Sequence, residues 1–441
     1  MSYVFHRSAK STPLMASHAA ASTIYDKKGN AYLDACGGAA VSCIGHGNAE
    51  VIEAIKEQAE KLAYAHTSFF TTSAAEELAE FLCASTDYQL TKTYFTCDGS
   101  EAVETALKMA HSCHRERGEP NRTHIIARRQ SYHGNTLGAL SSGGNMWRRA
   151  TYGALMLPGT SHIDPCYLYR GARVDESPAE YGQRMAAQLE EEILRLGPQN
   201  VSCFIAETVV GATLGCVAAE AGYFKSIREI CDRHGVILIL DEVMCGMGRT
   251  GTLHAFTQEG IVPDILIIAK GLGAGYVPLG AVLCRQEIFD SFCDGTGAFV
   301  HGHTFVGHPV ACAAALAVQK VVVKDALIEA SARQGTLLRQ QLEARLGQHP
   351  HVGDIRGRGL FVGLELVENR ADKKAFEPRR QLNAAIKRRA MEHGLLIYPG
   401  GGTIDGQIGD HILIAPHYII TNDEIDFLVS TLAKAIDDVI A

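Results

Sequence analysis

The chain has 441 residues, a formal net charge of −8 at pH 7, 46% hydrophobic residues and 20% charged residues. These proportions are typical of a globular protein large enough for two domains. The negative charge argues against a surface for nucleic acid or anionic membranes, and no apolar run is long enough to cross a bilayer. Thirteen cysteines without a Cys-x-x-Cys pair fit free thiols, so we expect a cytoplasmic protein without a secretory signal.

The N-terminal part of the chain predicts a β-hairpin, a glycine-rich segment and two helices. Residues 22–34 alternate between apolar and polar around a Lys-Gly-Asn turn, which favours a hairpin. Residues 37–47 are small and glycine-rich, as expected for the wall of a cleft. Apolar residues at helical spacing predict helices over 49–62 and 74–84.

From residue 93 onward, predicted strands and helices alternate. Short apolar runs predict strands at 93–96, 124–127, 203–206, 236–240, 265–269 and 281–284. Helical periodicity predicts helices over 101–111 and 224–234. The alternation indicates an α/β fold with a mostly parallel sheet covered on both faces. We interpret the charged segment 170–200 as a peripheral insertion.

Past residue 310 the pattern changes to long helices separated by short strands. Helices are predicted at 310–323, 326–346, 382–393 and from 423, and strands within 352–367 and at 395–397 and 412–414. Such a pattern is typical of a compact α+β domain. We therefore predict an N-terminal segment (1–48) that joins the small domain, a large domain (49–324) and a C-terminal small domain (325–441).

A lysine and an aspartate end two neighbouring strands of the predicted sheet. Lys270 follows the strand 265–269, and Asp241 follows the strand 236–240. Because parallel strands place ligands at their carboxyl ends, both side chains would face one crevice. Apolar surroundings would lower the pKa of Lys270 and make its amine nucleophilic, as imine formation requires. A surface lysine and a structural salt bridge are the alternative interpretations.

Two further segments suit a phosphate group. Gly99 and Ser100 lie at the start of the helix that follows the strand 93–96, where free N–H groups and the helix dipole attract anions. Ser100 could equally be a plain N-cap. Thr304, shortly before the helix at 310, could supply another phosphate contact.

An aromatic residue and an acid end two more strands. Tyr132, followed by His133 and a glycine, could lie flat against a planar ligand or pack under a loop. Glu207 ends the strand 203–206, where its burial would be costly without hydrogen bonds. Together these groups describe a planar, phosphorylated aldehyde that forms an imine with a lysine and has an acid beside a ring nitrogen. Pyridoxal 5′-phosphate (PLP) meets these requirements.

The sequence resembles the class-III PLP-dependent aminotransferases, the group of ω-amino acid and amine transaminases. The motifs that carry the resemblance occur in the family's order: Asp98-Gly99-Ser100-Glu101-Ala102, Tyr132-His133-Gly134, Asp241-Glu242-Val243, Ala269-Lys270-Gly271 and His303-Thr304-Phe305. The resemblance implies the PLP-dependent transferase fold type I. That fold has a mostly parallel seven-stranded sheet in the large domain, a smaller α+β domain and an active homodimer.

The resemblance also implies which residues do the chemistry. Lys270 would hold the internal aldimine and then move the proton, and Asp241 would keep the pyridine nitrogen protonated. Tyr132 and Val243 would cover the two faces of the ring, and His133 is also among the cofactor-binding residues.

The remaining implied roles concern the edges of the cofactor. Gly99 and Ser100 would bind the phosphate, together with Thr304 from the partner subunit. Glu207 would lie near the phenolic edge.

Two positions depart from the family's pattern for binding a substrate carboxylate. Many relatives carry an arginine there, whereas this chain has Tyr398 and Leu413. Arg148, Arg149 and Arg358 are the candidates to replace it, although each could be structural. The missing arginine slightly favours pyruvate over 2-oxoglutarate as the acceptor.

Small residues predict a roomy substrate pocket. Ala40, Val41 and Cys43 stand where some relatives carry a large aromatic residue, so bulky or long amines should fit. The glycine-rich stretch 400–406 is expected to form a flexible loop nearby.

The implied function is transfer of an amino group from an amine or ω-amino acid to a keto acid, through pyridoxamine phosphate. PLP-dependent racemases, aminomutases and decarboxylating variants use the same lysine and aspartate, so they remain alternatives. No Gly-x-Gly-x-x-Gly motif follows a first strand, which argues against a dinucleotide site. His301 and His303 lack neighbouring metal ligands in the sequence, so no metal site is predicted.

Overall fold

The computed structural model describes residues 2–440 and has an α/β architecture. In chain order, the strands are β1 (Ala16–Ala20), β2 (Thr23–Asp26), β3 (Ala31–Asp34), β4 (Lys92–Thr96), β5 (His124–Arg128), β6 (Thr160–Ile163), β7 (Val201–Glu207), β8 (Val209–Val210), β9 (Val217–Ala218), β10 (Ile237–Asp241), β11 (Ile265–Ile268), β12 (Gly280–Cys284), β13 (Val352–Arg358), β14 (Phe361–Leu366), β15 (Leu395–Leu396), β16 (Tyr398–Gly401) and β17 (Asp410–Ile414). The predicted hairpin near the N-terminus is confirmed as the antiparallel pair β2–β3.

The helices surround and connect these strands. In chain order, they are α1 (Gly37–Ala40), α2 (Ala49–Lys61), α3 (Ser73–Ala84), α4 (Gly99–Glu116), α5 (Leu137–Ser142), α6 (Met146–Ala150), α7 (Leu168–Gly171), α8 (Pro178–Leu196), α9 (Tyr223–His234), α10 (Gln286–Asp294), α11 (Pro309–Lys324), α12 (Leu327–Leu346), α13 (Leu382–Glu392) and α14 (Asn422–Ile440). Within residues 2–440, no helix combines the length and the apolar character that a bilayer crossing needs.

The central sheet has seven strands in the order β4-β12-β11-β10-β7-β5-β6. Strand β12 is antiparallel to both of its neighbours, and the other strands run in one direction. Buried residues of β10 and β11 pack on both sides of the sheet, which explains why these strands read as continuous apolar runs. The prediction of a mostly parallel, helix-covered sheet is confirmed.

Strand β6 and helix α8 are two places where this unit differs from the prediction. Strand β6 was not predicted, because an edge strand of Thr-Ser-His-Ile has little apolar periodicity. The interpretation of 170–200 as a peripheral insertion is wrong. Helix α8 within it buries Tyr181, Met185 and Leu189 in the main hydrophobic core, so it is an integral layer.

The C-terminal part of the chain forms another sheet, which has four strands in the order β13-β14-β17-β16. N-terminal strand β3 pairs in parallel with β15, with Leu33 opposite Leu395. This pairing supports the predicted joining of the N-terminal segment to the small domain, although the three domain boundaries stay a prediction.

The prediction of a flexible loop at 400–406 is wrong in part. Gly400 and Gly401 belong to β16, paired with β17. Thr403 is buried, and its hydroxyl lies 2.7 Å from Nδ1 of His411. The remaining loop closes on itself through backbone hydrogen bonds, including one from Gly402 N–H to the Gly409 carbonyl.

Candidate active site

A cavity of about 750 Å³ opens at the carboxyl edge of the central sheet. Pairing of β10 with β7 and β11 places Asp241 opposite Glu207 on one side and Ile267 on the other. Lys270 follows three residues after Ile267, so three ionisable side chains reach the same edge. The predicted convergence of strand ends is therefore present, and it follows directly from the parallel register.

Lys270 stands on a strained turn at the end of β11. Its φ is +47°, in the left-handed region that a non-glycine residue rarely adopts. Such strain commonly persists where the surrounding structure fixes a functional side chain. Burial lowers the pKa of the Lys270 amine to about 8 from its usual 10.5, although the charges of Asp241 and Glu207 pull it upward. The amine is thus far easier to deprotonate than that of a surface lysine.

Asp241 is held in one orientation by two donors. His133 donates from Nδ1 to Oδ2 over 2.8 Å, and the backbone N–H of Val243 donates to Oδ1 over 3.0 Å. Both side chains are buried, and Nε2 of His133 has no hydrogen-bond partner within the described residues. A buried imidazole nitrogen without a partner costs free energy unless a ligand meets it.

Two neighbouring glutamates have different environments. Glu207 lines the cavity and accepts hydrogen bonds from the backbone N–H groups of Tyr132 (3.0 Å) and Gly211 (2.9 Å). Burial raises its pKa. Glu242, next to Asp241, instead accepts from the backbone N–H groups of Ala255 and Phe256. Burial raises the pKa of Glu242 to about 7, and its contacts are structural.

The start of α4 forms a narrow cradle at the cavity wall. Asp98 caps the helix by accepting from the backbone N–H groups of Ser100 and Glu101, and the Ser100 hydroxyl accepts from Asn135 N–H over 3.2 Å. Gly134 packs against this turn with φ +129°, and a Cβ there would lie 2.6 Å from Oγ of Ser100. The glycine therefore keeps open the space beside the helix N-terminus, which attracts anions.

Tyr132 and Val243 line the same cavity as the ionisable groups, as do Gly99 and Ser100. A Cβ at Gly99 would lie 2.9 Å from Cγ1 of Val243. The Arg148 guanidinium stacks over the ring of Tyr132, with its Cζ 4.5 Å from the ring centroid. Of the nine residues that the sequence predicts for the site, only Thr304 is absent from the lining.

Comparisons with known proteins decide the family. The family model "Aminotransferase class-III" matches residues 4–436. The chain belongs to the class-III aminotransferases. An uncharacterized aminotransferase of Schizosaccharomyces pombe is 46% identical over 439 residues, which cover 100% of this chain and 96% of that protein.

Solved structures agree with this assignment. An (S)-enantioselective ω-transaminase from Thermomicrobium roseum has a TM-score of 0.92 at 36% identity, covering 98% of this chain and 94% of that one. An amine transaminase from an uncultivated Pseudomonas species, solved in its PLP-bound internal aldimine form, has a TM-score of 0.93 at 35% identity, covering 99% of both chains. The fold is accordingly that of the PLP-dependent class-III transaminases, fold type I.

Class-III aminotransferases depend on PLP, and the cavity of this one fits that cofactor. The unpartnered Nε2 of His133 is buried, and His133 and the half-buried Lys270 both line a cavity large enough for the cofactor. Gly134 leaves space at the N-terminus of α4 that a side chain would fill. The cavity thus offers a nucleophile and an anion site for a phosphate, and Asp241 is an ionisable partner for the cofactor's ring nitrogen.

Thr304 lies outside the cavity of its own chain and is exposed. Its carbonyl accepts a hydrogen bond from the Tyr64 hydroxyl over 2.8 Å. The expectation that it reaches a partner's site is not tested by a single chain.

The structure separates the three candidate arginines. Arg149 donates to the carbonyls of Ser141 and Gly143. Arg358 lies away from the cavity and forms a 2.5 Å salt bridge with Glu259. Both are structural. Arg148 alone of the three lines the cavity.

The prediction of a roomy pocket placed two side chains wrongly. Ala40 and Cys43 are buried in hydrophobic cores, where they do not line the cavity. The cavity wall is instead formed by Gly38, Ala39 and Val41. Glycine-rich sequence carries no periodicity that would show which residue faces inward.

Sequence reasoning missed Arg7 and Trp147, which also line the cavity. Arg7 lies in the N-terminal segment, where no local pattern marked it. Trp147 is the single tryptophan of the chain, a rarity that could have drawn attention to it.

Another polar cluster lies outside the cavity, at Asp34, His46 and His417. Their ligand atoms lie within 4.8 Å of one another, close enough to be considered for a metal ion. Burial lowers the pKa of His417 to about 4, so its ring is neutral near pH 7. The sequence could not indicate this cluster because its members are far apart along the chain.

Proposed function

We propose that this class-III aminotransferase moves an amino group from an amine or ω-amino acid to a keto acid, with pyruvate favoured over 2-oxoglutarate. The observation that carries the proposal is the placement of Lys270, with its lowered pKa, in one cavity with Asp241, Tyr132 and Glu207. Pyruvate is favoured because Tyr398 and Leu413 leave the two usual positions without an arginine, and a monocarboxylate needs only one carboxylate anchor.

Lys270 acts as the base. PLP, when bound, supplies an aldehyde that captures an amine and a ring that accepts the electrons of the broken C–H bond. With the cofactor bound, the Lys270 amine would take the proton from the substrate's α carbon and return it to C4′ of the cofactor. A base with a pKa of about 8 suits proton transfer in both directions near neutral pH.

The other site residues hold the cofactor in position for this transfer. Asp241, fixed by His133, would keep a proton on the pyridine nitrogen. Tyr132 and Val243 would cover the two faces of the ring. Glu207 would lie at the phenolic edge, and both of its carboxylate oxygens already accept from backbone N–H groups.

The phosphate belongs at the start of α4. Gly99 and Ser100 provide the helix N-terminus and the hydroxyl there, next to the space that Gly134 leaves. Because the Ser100 hydroxyl and the helix dipole would bind the phosphate beside the Asp98 cap, its affinity depends on the exact path of this turn.

The proposal includes a homodimer in which Thr304 of one subunit contacts the phosphate site of the other. Phe69, Phe70, Val300 and Phe305 are exposed large apolar residues, consistent with a surface that a second subunit covers. Light scattering over a range of protein concentrations tests the dimer. A Thr304→Ala variant should weaken PLP binding while leaving the dimer intact.

One experiment tests the reaction itself. The yellow holoenzyme is incubated with a panel of amines, and conversion to the pyridoxamine form is followed by absorbance. Keto acids are then added one at a time to find which restores the starting spectrum. Product formation without a keto acid would instead indicate a racemase or aminomutase, and release of carbon dioxide would indicate a decarboxylase.

The matched variant is Lys270→Ala. It should fold and bind PLP weakly but should not transaminate. A normal rate in this variant would contradict the proposal.

A further inference from the structure

Two positively charged side chains line the cavity without an anionic partner. Arg148 and Arg7 both contribute to its wall. Among residues 2–440, neither guanidinium forms a salt bridge. The Cζ of Arg148 lies 4.5 Å from the ring centroid of Tyr132 and 5.7 Å from that of Trp147. A guanidinium stacked on aromatic rings keeps its N–H groups free at the edge for a planar anion.

The carboxylates of the cavity are not available to these arginines. Asp98 caps α4, Glu207 accepts from two backbone N–H groups, and Asp241 accepts from His133 and Val243. The negative charges are therefore already bound on the cofactor side. The Arg148 side of the cavity has positive charge without compensation, which favours an incoming anion.

Two phenols, Tyr132 and Tyr398, line the same cavity as the two arginines. The Arg148 guanidinium lies over the Tyr132 ring. Burial raises the pKa of Tyr132, and the positive charges of Arg148 and Arg7 oppose this increase. The cavity wall thus offers two guanidinium groups and two hydroxyls, a donor set suited to a carboxylate.

We propose that Arg148 binds the carboxylate of the keto acid, and that Arg7 adds a second positive charge to the same subsite. This assignment rests on the proposed function and identifies the anchor that Tyr398 and Leu413 do not provide. Arg148 is bound to the wall by stacking and needs little rearrangement to form two parallel N–H···O bonds. The exposed Arg7 contributes by charge more than by geometry, so its loss matters less.

The test separates the two half-reactions. The holoenzyme is first reacted with 1-phenylethylamine, which carries no carboxylate, and then with either pyruvate or acetaldehyde, which has a hydrogen in place of the carboxylate. In Arg148→Gln, the rate constant for pyruvate should fall roughly 10- to 100-fold. The rate constants for acetaldehyde and for the amine should fall much less than that for pyruvate, and Arg148→Lys should restore part of the loss.

Binding gives a second readout. Titration calorimetry with propionate, an unreactive carboxylate, should show a Kd about tenfold weaker in Arg148→Gln holoenzyme than in the native protein. Arg7→Gln should have a smaller effect. Arg358→Gln is the control, because it removes a cation that pairs with Glu259 outside the cavity.

Each outcome points to one conclusion. If Arg148→Gln treats pyruvate and propionate as the native protein does, the assignment is wrong. If it slows pyruvate, acetaldehyde and the amine equally, Arg148 only supports Tyr132 and the assignment is again wrong. If native holoenzyme reacts with neither amines nor pyruvate, the proposed function fails.

Discussion

Nδ1 of His133 and Oδ2 of Asp241 are joined by a 2.8 Å hydrogen bond in the floor of the cavity. Both side chains are buried, and the second oxygen of Asp241 is held by the Val243 N–H. The carboxylate is therefore oriented before any ligand arrives. Preorganised charge of this kind needs no rearrangement during the reaction, which makes it effective in a site with little water.

Asp241→Asn should reduce kcat by on the order of 100-fold or more, because an amide cannot stabilise a proton on the pyridine nitrogen. The free energy of unfolding should change much less, since an amide fills the same volume. Steady-state kinetics and thermal unfolding of the holoenzyme measure the two effects. Activity near the native value would mean that Asp241 is only structural.

His133→Ala should also lower kcat, but by less, because its effect acts through the orientation of Asp241. His133→Asn is the matched control, as its side-chain amide can still donate to the carboxylate. In the double variant His133→Ala/Asp241→Asn, the first change should add little to the second. Full additivity would indicate that His133 acts independently of Asp241.

The lowered pKa of Lys270 predicts a pH profile for the uptake of PLP by the apoenzyme. The neutral amine is the reacting form, so the rate should rise about tenfold per pH unit below pH 8 and level off above it. Stopped-flow absorbance measures the rate, and a lysine-containing peptide measured in parallel corrects for titration of the cofactor. A rate that continues to rise to pH 10, as in the peptide, would contradict the lowered pKa.

Gly134→Ala should weaken PLP binding by about tenfold, because its Cβ would push Ser100 away from the N-terminus of α4. Gly118→Ala is the control. Gly118 lies just beyond the C-terminus of α4 and also has a positive φ, of +78°. A Cβ at this position would meet no atom within 4 Å. Both variants should lose stability from backbone strain. Equal PLP affinities in the two would refute the cradle at Ser100.

Val41→Trp should selectively slow large amines, because Val41 forms part of the cavity wall. The rates of the first half-reaction with 1-phenylethylamine and with isopropylamine measure this selectivity. Ala40→Trp should instead destabilise the fold, since Ala40 is buried against the core with φ +60°. If Val41→Trp lowers the rate equally for both amines, the prediction of a roomy pocket is wrong.

The central sheet could be predicted because its signal is local. Buried parallel strands such as β10 and β11 are continuous apolar runs ended by a charged residue, and the end of each strand marks the edge where ligands bind. Edge strand β6 and helix α8 could not be assigned in this way. The edge strand is too polar, and the buried face of α8 is hidden among charged residues.

The sequence by itself determined that Lys270, Asp241 and Glu207 share one edge of the sheet, because each residue directly follows or ends an apolar strand of a mostly parallel sheet. It did not determine what lies on the substrate side of the cavity. The sequence does not distinguish the three candidate arginines. Only packing shows that Arg149 and Arg358 bind polar groups of the protein, whereas Arg148 stacks on Tyr132 in the cavity wall. Only the tertiary structure likewise shows that Val41, and not Ala40, lines the cavity. An irregular segment has no period that fixes the direction of its side chains.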